Sequence, residues 1–487
     1  MSDKAKVLIW MGITAMMLAC AGVVTYYVDP YFHFHWAKVD KYYYQLDNER
    51  AQNDGICRHF DYDALISGTS MTENFKTSEM DKLFGVKSIK VSFSGAYYQE
   101  FMDNIARAIS YNPKLKLVLC SIDLDTILNT YEAGSKDALA QKRPKYLYDK
   151  NPFNDIEYVL NREILFKRVY NMFEGAKEGK TGITSFDAYS NWQSPFYTFG
   201  KNSVYPNEIR VTSDNKEHLT DEDIDSIRDN FERSIFSVTD ANSEIKFIFY
   251  YPPYSIAWWD DCKAEGKEEK YFEAERLLTE MMLERKNIDL YSFYEEDIVT
   301  DLNNYKDKKH YGEWINSLIL KRISEGKNQI TKDNYIERLS EEKKTLNHDY
   351  SELIKNQEDY EADLYAGALV NHEISGVLPT KMDCEGVFEL EPENDSITIT
   401  VDKDDEFRYL SFNLKEDRTD ERLNILINDK KGELVGMETI EPDDFEPHMY
   451  VLSFPPNMIG SIEIDDVSLA GREDAWNRLA LDSVFLY

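Results

Sequence analysis

The feature that most constrains the fold of this chain is an apolar run near the N-terminus. Residues 7–28, VLIWMGITAMMLACAGVVTYYV, contain no charged side chain. As a helix that rises 1.5 Å per residue, this run matches a hydrocarbon core of ~30 Å. Lys4 and Lys6 precede it, and Tyr26 and Tyr27 close it. The positive-inside rule therefore predicts a single membrane span with a cytoplasmic N-terminus and with residues 30–487 on the other side.

Three other interpretations of the run stay open. A cleaved signal peptide is disfavoured because the run exceeds a usual signal core and no A-x-A-like site closes it. Cys20 in MLAC is placed as in a lipoprotein, although Leu18 stands where a small residue is usual. A buried core helix is disfavoured by the position at the extreme N-terminus.

The length and charge of the chain limit its domain number and its classes of binding partner. A length of 487 residues predicts about three structural units. Lys and Arg number 56 against 90 Asp and Glu, which gives a net charge of -34 and a pI near 4.7. Such a chain is repelled by phosphate backbones, so we exclude nucleic acid and anionic lipid surfaces as partners.

No metal site or cofactor is predicted. The five cysteines form no C-x-x-C pair and show no regular spacing. His33 and His35 alternate with aromatic residues just after the span, a pattern more typical of packing at a membrane interface than of metal ligands.

From residue 56 onward, short apolar runs alternate with amphipathic stretches, which is typical of a parallel sheet covered by helices. After the second strand, Phe101, Ile105, Ala108 and Ile109 have the spacing of one helical face. An insertion of about 130–243 separates the third and fourth strands, and helices are predicted in it over 154–173 and 220–236. Five strands are expected, at residues 64–67, 86–93, 115–122, 245–251 and 288–293. The predicted fold class is therefore α/β, with an α/β domain over residues 30–330 after the anchor of residues 1–29.

The C-terminal third has a different character. Residues 331–380 contain a charged helical stretch that we interpret as a connector. From Val387 the apolar period becomes two, which predicts a β-sandwich over residues 381–487. Residues 331–487 carry 15 basic and 38 acidic side chains, so most of the net negative charge lies here.

Ser70 follows the first predicted strand in the sequence ISGTSMTENF. A turn of small residues at the carboxyl end of a parallel strand places its hydroxyl where ligand sites form in α/β folds. Ser70 could equally be a helix cap, because Ser70 and Glu73 have the spacing of a capping box.

Asp307 and His310 follow the last predicted strand, just before a helix. At this spacing the carboxylate can orient one imidazole nitrogen while the other faces the first strand. A solvated pair at a helix entrance is the alternative. Together, the two motifs predict a Ser-Asp-His catalytic triad at one edge of the sheet.

Gly68-Thr69-Ser70, Ser94-Gly95 after the second strand, and Asp307-x-x-His310 resemble the SGNH (GDSL-like) hydrolase superfamily over about residues 55–325. With its single span and without GDSL itself, the chain is most similar to the bacterial envelope branch that includes alginate O-acetylation and teichoic-acid D-alanylation proteins. The resemblance implies a three-layer, flavodoxin-like domain. It also implies a membrane-bound O-acyltransferase as partner and an extracytoplasmic glycan as substrate.

The resemblance implies roles for individual residues. Ser70 would be the nucleophile, His310 the base and Asp307 its orienter. The backbone N–H groups of Ser70 and Gly95 would stabilise the oxyanion. The third strand ends in SIDLD, without the Gly-x-Asn-Asp that supplies a third donor in the superfamily. Loss of one such donor can cost roughly 100- to 1000-fold in rate.

Tyr254, Ser255 and Trp258 follow the fourth predicted strand and are candidates for substrate binding, since Tyr and Trp rings stack on sugars. Aromatic packing of the core is the alternative.

The expected function is transfer or removal of O-acyl groups on a cell-envelope or exported polysaccharide, through a Ser70 ester. The alternative is a catalytically inactive glycan-binding or scaffold partner of an acyltransferase. A plain esterase or lipase is a third option, but the sequence has no long apolar lid signal.

Overall fold

The computed structural model describes residues 2–134, 143–192, 199–205 and 216–357, together with nine strands beyond residue 357. The chain begins with helix α1 (Asp3–Val28), whose first turn is capped by the Ser2 hydroxyl. An 18-residue window of α1 has a mean hydropathy of 2.2 and none of it is buried inside the protein. The predicted helix is therefore present and long enough to cross a membrane, and the core-helix interpretation of this window is wrong.

The centre of the molecule is a six-stranded sheet with the order β2-β1-β3-β4-β5-β6. The first five strands are parallel, and β6 pairs antiparallel with β5. The strands are β1 (Ala64–Gly68), β2 (Ser88–Ser92), β3 (Leu117–Ser121), β4 (Lys246–Tyr251), β5 (Ile288–Ser292) and β6 (Gln329–Ile330). The five predicted strands are confirmed. Sequence analysis missed β6, because a two-residue strand has no periodicity to detect.

The strands are apolar because the sheet is covered. Every residue of β1, β2 and β3 is buried, as expected for parallel strands with structure on both faces. Lys90 is the charged residue of these strands, and its buried ammonium donates to the backbone oxygens of Phe75 at 2.9 Å and Asp187 at 3.2 Å.

Three helices follow α1 in the first half of the fold: α2 (Glu49–His59), α3 (Thr77–Phe84) and α4 (Tyr98–Tyr111). Helix α2 packs on α4, and α3 packs on the helix Glu313–Ser324. The predicted apolar face of α4 is in the core through Phe101, Ile105 and Ala108, with Ile109 packed against it. The other helices after β4 are Ile256–Glu265, Glu268–Leu283, Glu296–Val299, Tyr335–Asn347 and Ser351–Lys355.

The described residues between β3 and β4 are largely helical, in the region predicted as an insertion. Thr220 caps the second predicted helix through a reciprocal capping box with Asp223. The described helices between β3 and β4 are Lys145–Tyr148, Ile156–Val159, the π-helical Ile164–Val169, Tyr170–Lys177, Lys201–Val204, Asp221–Phe231, the π-helical Glu232–Phe236 and Ser237–Thr239. A short parallel pair joins Tyr43–Tyr44 to Gly182–Ile183.

Beyond residue 357 the described strands form two antiparallel sheets. Strand Glu373–Ser375 pairs with Ser396–Thr400 and lies in the range predicted as connector. The remaining strands are Val387–Glu389, Tyr409–Leu414, Leu423–Asp429, Leu434–Ile440, Met449–Ser453, Ile459–Asp466 and Ala480–Leu486. The rest of residues 358–487 falls outside the described residues.

Candidate active site

The turn after β1 requires glycine before the candidate nucleophile. Gly68 has φ +152°, and a Cβ there would lie 2.8 Å from both the Ser121 hydroxyl oxygen and a methyl carbon of Thr72. The chain then enters a 3₁₀ turn, Ser70–Thr72. The residue that caps this turn is Thr69, whose hydroxyl accepts from the Met71 N–H at 3.3 Å. The cap role considered for Ser70 is therefore filled by Thr69, which leaves the Ser70 hydroxyl available for another contact.

The Ser70 hydroxyl contacts His310. Its Oγ lies 2.8 Å from His310 Nε2, although the two residues are 240 positions apart in the chain. His310 Nδ1 lies 2.8 Å from Asp307 Oδ2 and 3.0 Å from Asp307 Oδ1. The three residues that the sequence suggested as a triad are thus joined in one chain of hydrogen bonds.

The charge on Asp307 fixes the direction of these bonds. Burial acts to raise the pKa of Asp307, but the His310 ring and the backbone N–H groups of Lys309 and His310 lower it to about 2. An ionised carboxylate only accepts hydrogen bonds, so His310 Nδ1 carries the proton. His310 Nε2 is then the acceptor that faces the Ser70 hydroxyl, as a general base requires.

The segment that bears Asp307 and His310 is held at both ends and in its middle. Tyr305 and Tyr311 form a backbone bridge, and the Lys306 N–H donates to the His310 oxygen at 3.0 Å. The Lys308 oxygen accepts from the Ser255 N–H at 3.1 Å and from the Ser255 hydroxyl at 2.7 Å. Ser255 therefore holds the loop that bears Asp307 and His310.

Tyr254 and Trp258 are also inside the fold. Tyr254 is 1% exposed, and its ring centre lies 5.0 Å from that of Trp258. The Tyr254 hydroxyl lies 3.0 Å from an oxygen of Asp123 and 3.1 Å from one of Asp125. The placement of Tyr254, Ser255 and Trp258 fits the packing interpretation better than stacking on a sugar, because almost no surface of these side chains is exposed.

Asp123 follows the end of β3, where the sequence shows no candidate for a third oxyanion donor, and it is a buried acceptor. Its Oδ2 accepts from the hydroxyls of Thr69 at 2.8 Å and Ser121 at 2.9 Å. Burial, with the nearby charge of Asp125, raises the pKa of Asp123 to about 6. Asp123 thus ties the end of β3 to the turn that presents Ser70.

The loop of Ser94 and Gly95 leaves the sheet next to Ser70. Gly68 and Ser92 are register partners, and the Phe93 N–H donates to the Gly68 oxygen at 2.9 Å. Gly95 is exposed with φ +59°, and a Cβ there would meet no heavy atom within 4 Å. The Cα of Gly95 therefore faces open space beside the turn that carries Ser70.

Two neighbouring residues of α2 hold Ser94 from both sides of its backbone. The Ser94 N–H donates to Glu49 Oε2 at 2.7 Å, and Arg50 Nη2 donates to the Ser94 oxygen at 2.8 Å. Arg50 is itself fixed by Glu100, which accepts from Nε at 2.8 Å and from Nη2 at 3.0 Å. Sequence analysis missed this clamp, since Glu49 and Arg50 belong to no motif.

Glu73, three residues after Ser70, is buried beside Glu49. Burial and the charge of Glu49 raise the pKa of Glu73 to about 8, and burial also raises the pKa of Glu49. Glu73 is therefore mainly protonated at neutral pH. With Glu73 protonated, like-charge repulsion between the two carboxyl groups does not oppose the contact of Glu49 with the Ser94 N–H.

The other side of His310 is covered by Trp192, a residue that sequence analysis also missed. The two ring centres are 5.9 Å apart in an edge-to-face arrangement. The Lys306 ammonium lies 3.8 Å from the Trp192 ring centre, and burial lowers the pKa of Lys306. The backbone N–H of Trp192 donates to Asn74 Oδ1 at 3.1 Å, which links Trp192 to the segment after Ser70.

Within the described part of the chain, no three His, Cys, Asp or Glu side chains are grouped as metal ligands would be. His33 Nε2 lies 3.0 Å from Asp155 Oδ1, and His35 contacts the backbone oxygens of Trp36 and Tyr26. Both histidines thus take part in packing near the end of α1.

Comparison with known proteins identifies no family. No protein-family model matches the chain, and no curated protein matches it. Among solved structures, the carbohydrate-binding module CBM29-2 is 17% identical with a TM-score of 0.16, covering 21% of this chain and 69% of the module. A cellohexaose complex of the same module is 21% identical with a TM-score of 0.15, covering 20% and 66%. Another family 29 module is 13% identical with a TM-score of 0.16, covering 23% and 90%. Similarity at these TM-scores carries no argument about function.

Proposed function

We propose that this protein is a serine acyltransferase or esterase that acts on O-acyl groups of a cell-envelope or exported polysaccharide. The observation that carries the proposal is the hydrogen-bonded series from Ser70 Oγ through His310 to Asp307. Oriented in this way, the three groups form the nucleophile, base and orienter of an acyl-transfer site.

The reaction would proceed in two halves. His310 Nε2 takes the proton from Ser70 as Oγ attacks the carbonyl carbon of the acyl ester. When the ester bond breaks, the same proton passes to the leaving oxygen and the acyl group remains on Ser70. A glycan hydroxyl or water then attacks the acyl carbon and gives its proton to His310, and His310 returns this proton to Ser70 Oγ as the bond between Oγ and the acyl carbon breaks.

The oxyanion formed in each half would be stabilised by the backbone N–H groups of Ser70 and Gly95. The clamp of Glu49 and Arg50 on Ser94 supports this assignment, because a donor contributes most when it is fixed in advance. Asp123 accepts hydrogen bonds from the Thr69 and Ser121 hydroxyls and offers no donor to the oxyanion, so the proposed site has two donors where the resembled superfamily has three.

The wider setting belongs to the same proposal. The strand order, in which the second strand lies outside the first and the remaining strands follow in sequence, is that of flavodoxin-like sheets and supports an SGNH-type domain. A C-terminal β-sandwich, an extracytoplasmic location and a membrane-bound O-acyltransferase as partner complete it. The apolar helix α1 supports membrane anchoring.

Chemical analysis of the polysaccharide tests the function. O-acyl content is measured in cells that carry the wild-type chain, Ser70→Ala, or the matched control Ser317→Ala, whose hydroxyl contacts Glu79 away from the site. Loss of O-acyl groups in Ser70→Ala alone indicates transfer onto the glycan, whereas a gain indicates removal. Equal O-acyl content in all three strains would contradict the proposal.

A further inference from the structure

The 151–177 segment, which consists of residues 151–177 between β3 and β4, exposes large apolar side chains. The exposed fraction is 86% for Phe153, 57% for Ile156, 73% for Phe166 and 56% for Tyr170. Phe166, Tyr170 and Phe173 follow one another at helical spacing, so they form a stripe. The opposite side of the same helices is in the core through Ile164, Val169 and Met172. The segment therefore has a second apolar face that no described part of the chain covers.

This segment is fixed beside the last turns of α1. The side chains of Val159 and Leu160 lie 3.6 and 3.7 Å from the position that a Cβ on Gly22 would occupy. The helices Ile156–Val159 and Ile164–Val169 both contact α1. The position of Gly22 along α1 therefore gives the depth of the 151–177 segment in a membrane that α1 crosses.

The position of the charges on α1 sets that height relative to a bilayer. Lys6 is the last charged side chain before the apolar run, and twenty residues at 1.5 Å each, counted from Val7, reach Tyr26. Tyr26 and Tyr27 then stand at the far interface, where aromatic residues are enriched. Gly22 is four residues earlier, about 6 Å inside the hydrocarbon boundary. A tilted helix needs more residues to cross, which moves Gly22 deeper.

We propose that the 151–177 segment inserts into the leaflet next to the folded domain and places Phe153, Ile156, Phe166 and Tyr170 against lipid. A depth of several ångströms is usual for amphipathic segments that lie in a membrane interface. The long side chains of Glu163 and Lys167 alternate with the apolar ones and can reach the headgroups, which fits an interfacial position rather than a deeper one.

Local charge permits this contact. The segment carries four basic and four acidic side chains, while the whole chain has a net charge of -34. The repulsion expected from the acidic chain therefore does not act where the segment meets the bilayer. Two membrane contacts, α1 and the 151–177 segment, would fix the orientation of the α/β domain relative to the membrane. A single helix would leave that orientation free to vary.

Spin labels on the full-length protein in phosphatidylcholine nanodiscs test this inference. The background replaces the exposed Cys20 by Ala and Cys384 by Ser, while Cys57, Cys120 and Cys262 are buried and are kept. Labels are attached in Phe166→Cys and Tyr170→Cys, and in the control Ile336→Cys, which replaces an exposed apolar residue remote in sequence. The accessibility of each label to oxygen and to a water-soluble nickel complex is measured by electron paramagnetic resonance.

We expect the ratio of oxygen to nickel accessibility to be several-fold higher at residues 166 and 170 than at residue 336. Equal ratios at all three positions would overturn the inference. Apart from the scaffold protein at its rim, the nanodisc contains only lipid, so a face reserved for a protein partner would also give the aqueous result. Melting temperatures verify that the labelled variants fold, and Ile156→Cys provides a further position if one of them does not.

Discussion

Replacement of Asp307 by Asn tests the orientation of His310 with little change in shape. Asp307 Oδ1 accepts the N–H groups of Lys309 and His310, each at 2.9 Å, and an amide oxygen can keep both bonds. The amide nitrogen then takes the place of Oδ2, which lies 2.8 Å from His310 Nδ1. Because an amide nitrogen donates, Nδ1 must become the acceptor and the ring proton moves to Nε2. His310 in this tautomer cannot take the Ser70 proton.

The magnitude follows from the loss of the base. An equivalent change of tautomer in a well-characterised Ser-His-Asp triad lowers kcat about 10,000-fold, which corresponds to about 5 kcal/mol of barrier. We expect Asp307→Asn to reduce hydrolysis of p-nitrophenyl acetate by at least 1000-fold on this scale. The melting temperature should change little, since the loop keeps its backbone contacts.

The matched control is Asp261→Asn. Asp261 pairs with Lys308 of the same loop but does not contact the triad. This variant should keep most of the wild-type rate. If Asp307→Asn retained a tenth or more of the rate, or if both variants lost activity equally, the proposed role of Asp307 would be wrong.

Three further predictions concern the clamp, the buried carboxyl pair and the topology. Arg50→Lys keeps the positive charge, but a lysine cannot bond Glu100 and the Ser94 oxygen at the same time. We expect kcat to fall by about 10- to 100-fold, which is less than for outright loss of an oxyanion donor. A kcat equal to that of the wild type would refute the role of the clamp. The folded pKa of Glu73 is raised from 4.5 to about 8, so the folded state binds more protons between these values and the free energy of unfolding should decrease as pH rises from 5 to 8. Glu73→Gln should flatten that decrease in urea titrations, and an unchanged slope would contradict it. Protease added to intact cells should cleave beyond residue 30, whereas protection of the C-terminus would reverse the proposed orientation.

The parts of the fold that sequence analysis predicted depend on local patterns. The apolar runs at residues 64–67 and 245–251 are visible because a covered parallel strand is apolar on both faces. The helix α1 is visible for a similar reason, since its whole circumference is apolar. Strand β6, with only two residues, carries no such pattern.

The triad was predictable because its members follow strand ends. Ser70 comes after β1, and Asp307 and His310 come after β5, so the parallel sheet brings them to one edge. The spacing of Asp307 and His310 also suggested their mutual hydrogen bond, which the structure has.

The surroundings of the triad were not predictable, because they depend on packing between distant segments. Trp192 reaches His310 from a region between β3 and β4 in which no regular pattern marks it. Glu49 and Arg50 reach Ser94 from the first turn of α2, where charged residues usually face solvent. Tyr254 looked like a sugar-binding residue, but a ring beside a sheet edge can equally point inward, and here its hydroxyl contacts Asp123.

The central claim, that Ser70 is an activated nucleophile, is tested most directly by covalent labelling. Wild type, Ser70→Ala and His310→Ala are treated with a fluorophosphonate, the modified residue is mapped by mass spectrometry, and melting temperatures are recorded on the same samples. The account predicts a label on Ser70 of the wild type, none on Ser70→Ala, and strongly slowed labelling of His310→Ala, since an unassisted hydroxyl is a weak nucleophile. Folded wild-type protein that stays unlabelled, with its membrane partner present, would contradict the claim and favour a catalytically inactive glycan-binding or scaffold protein.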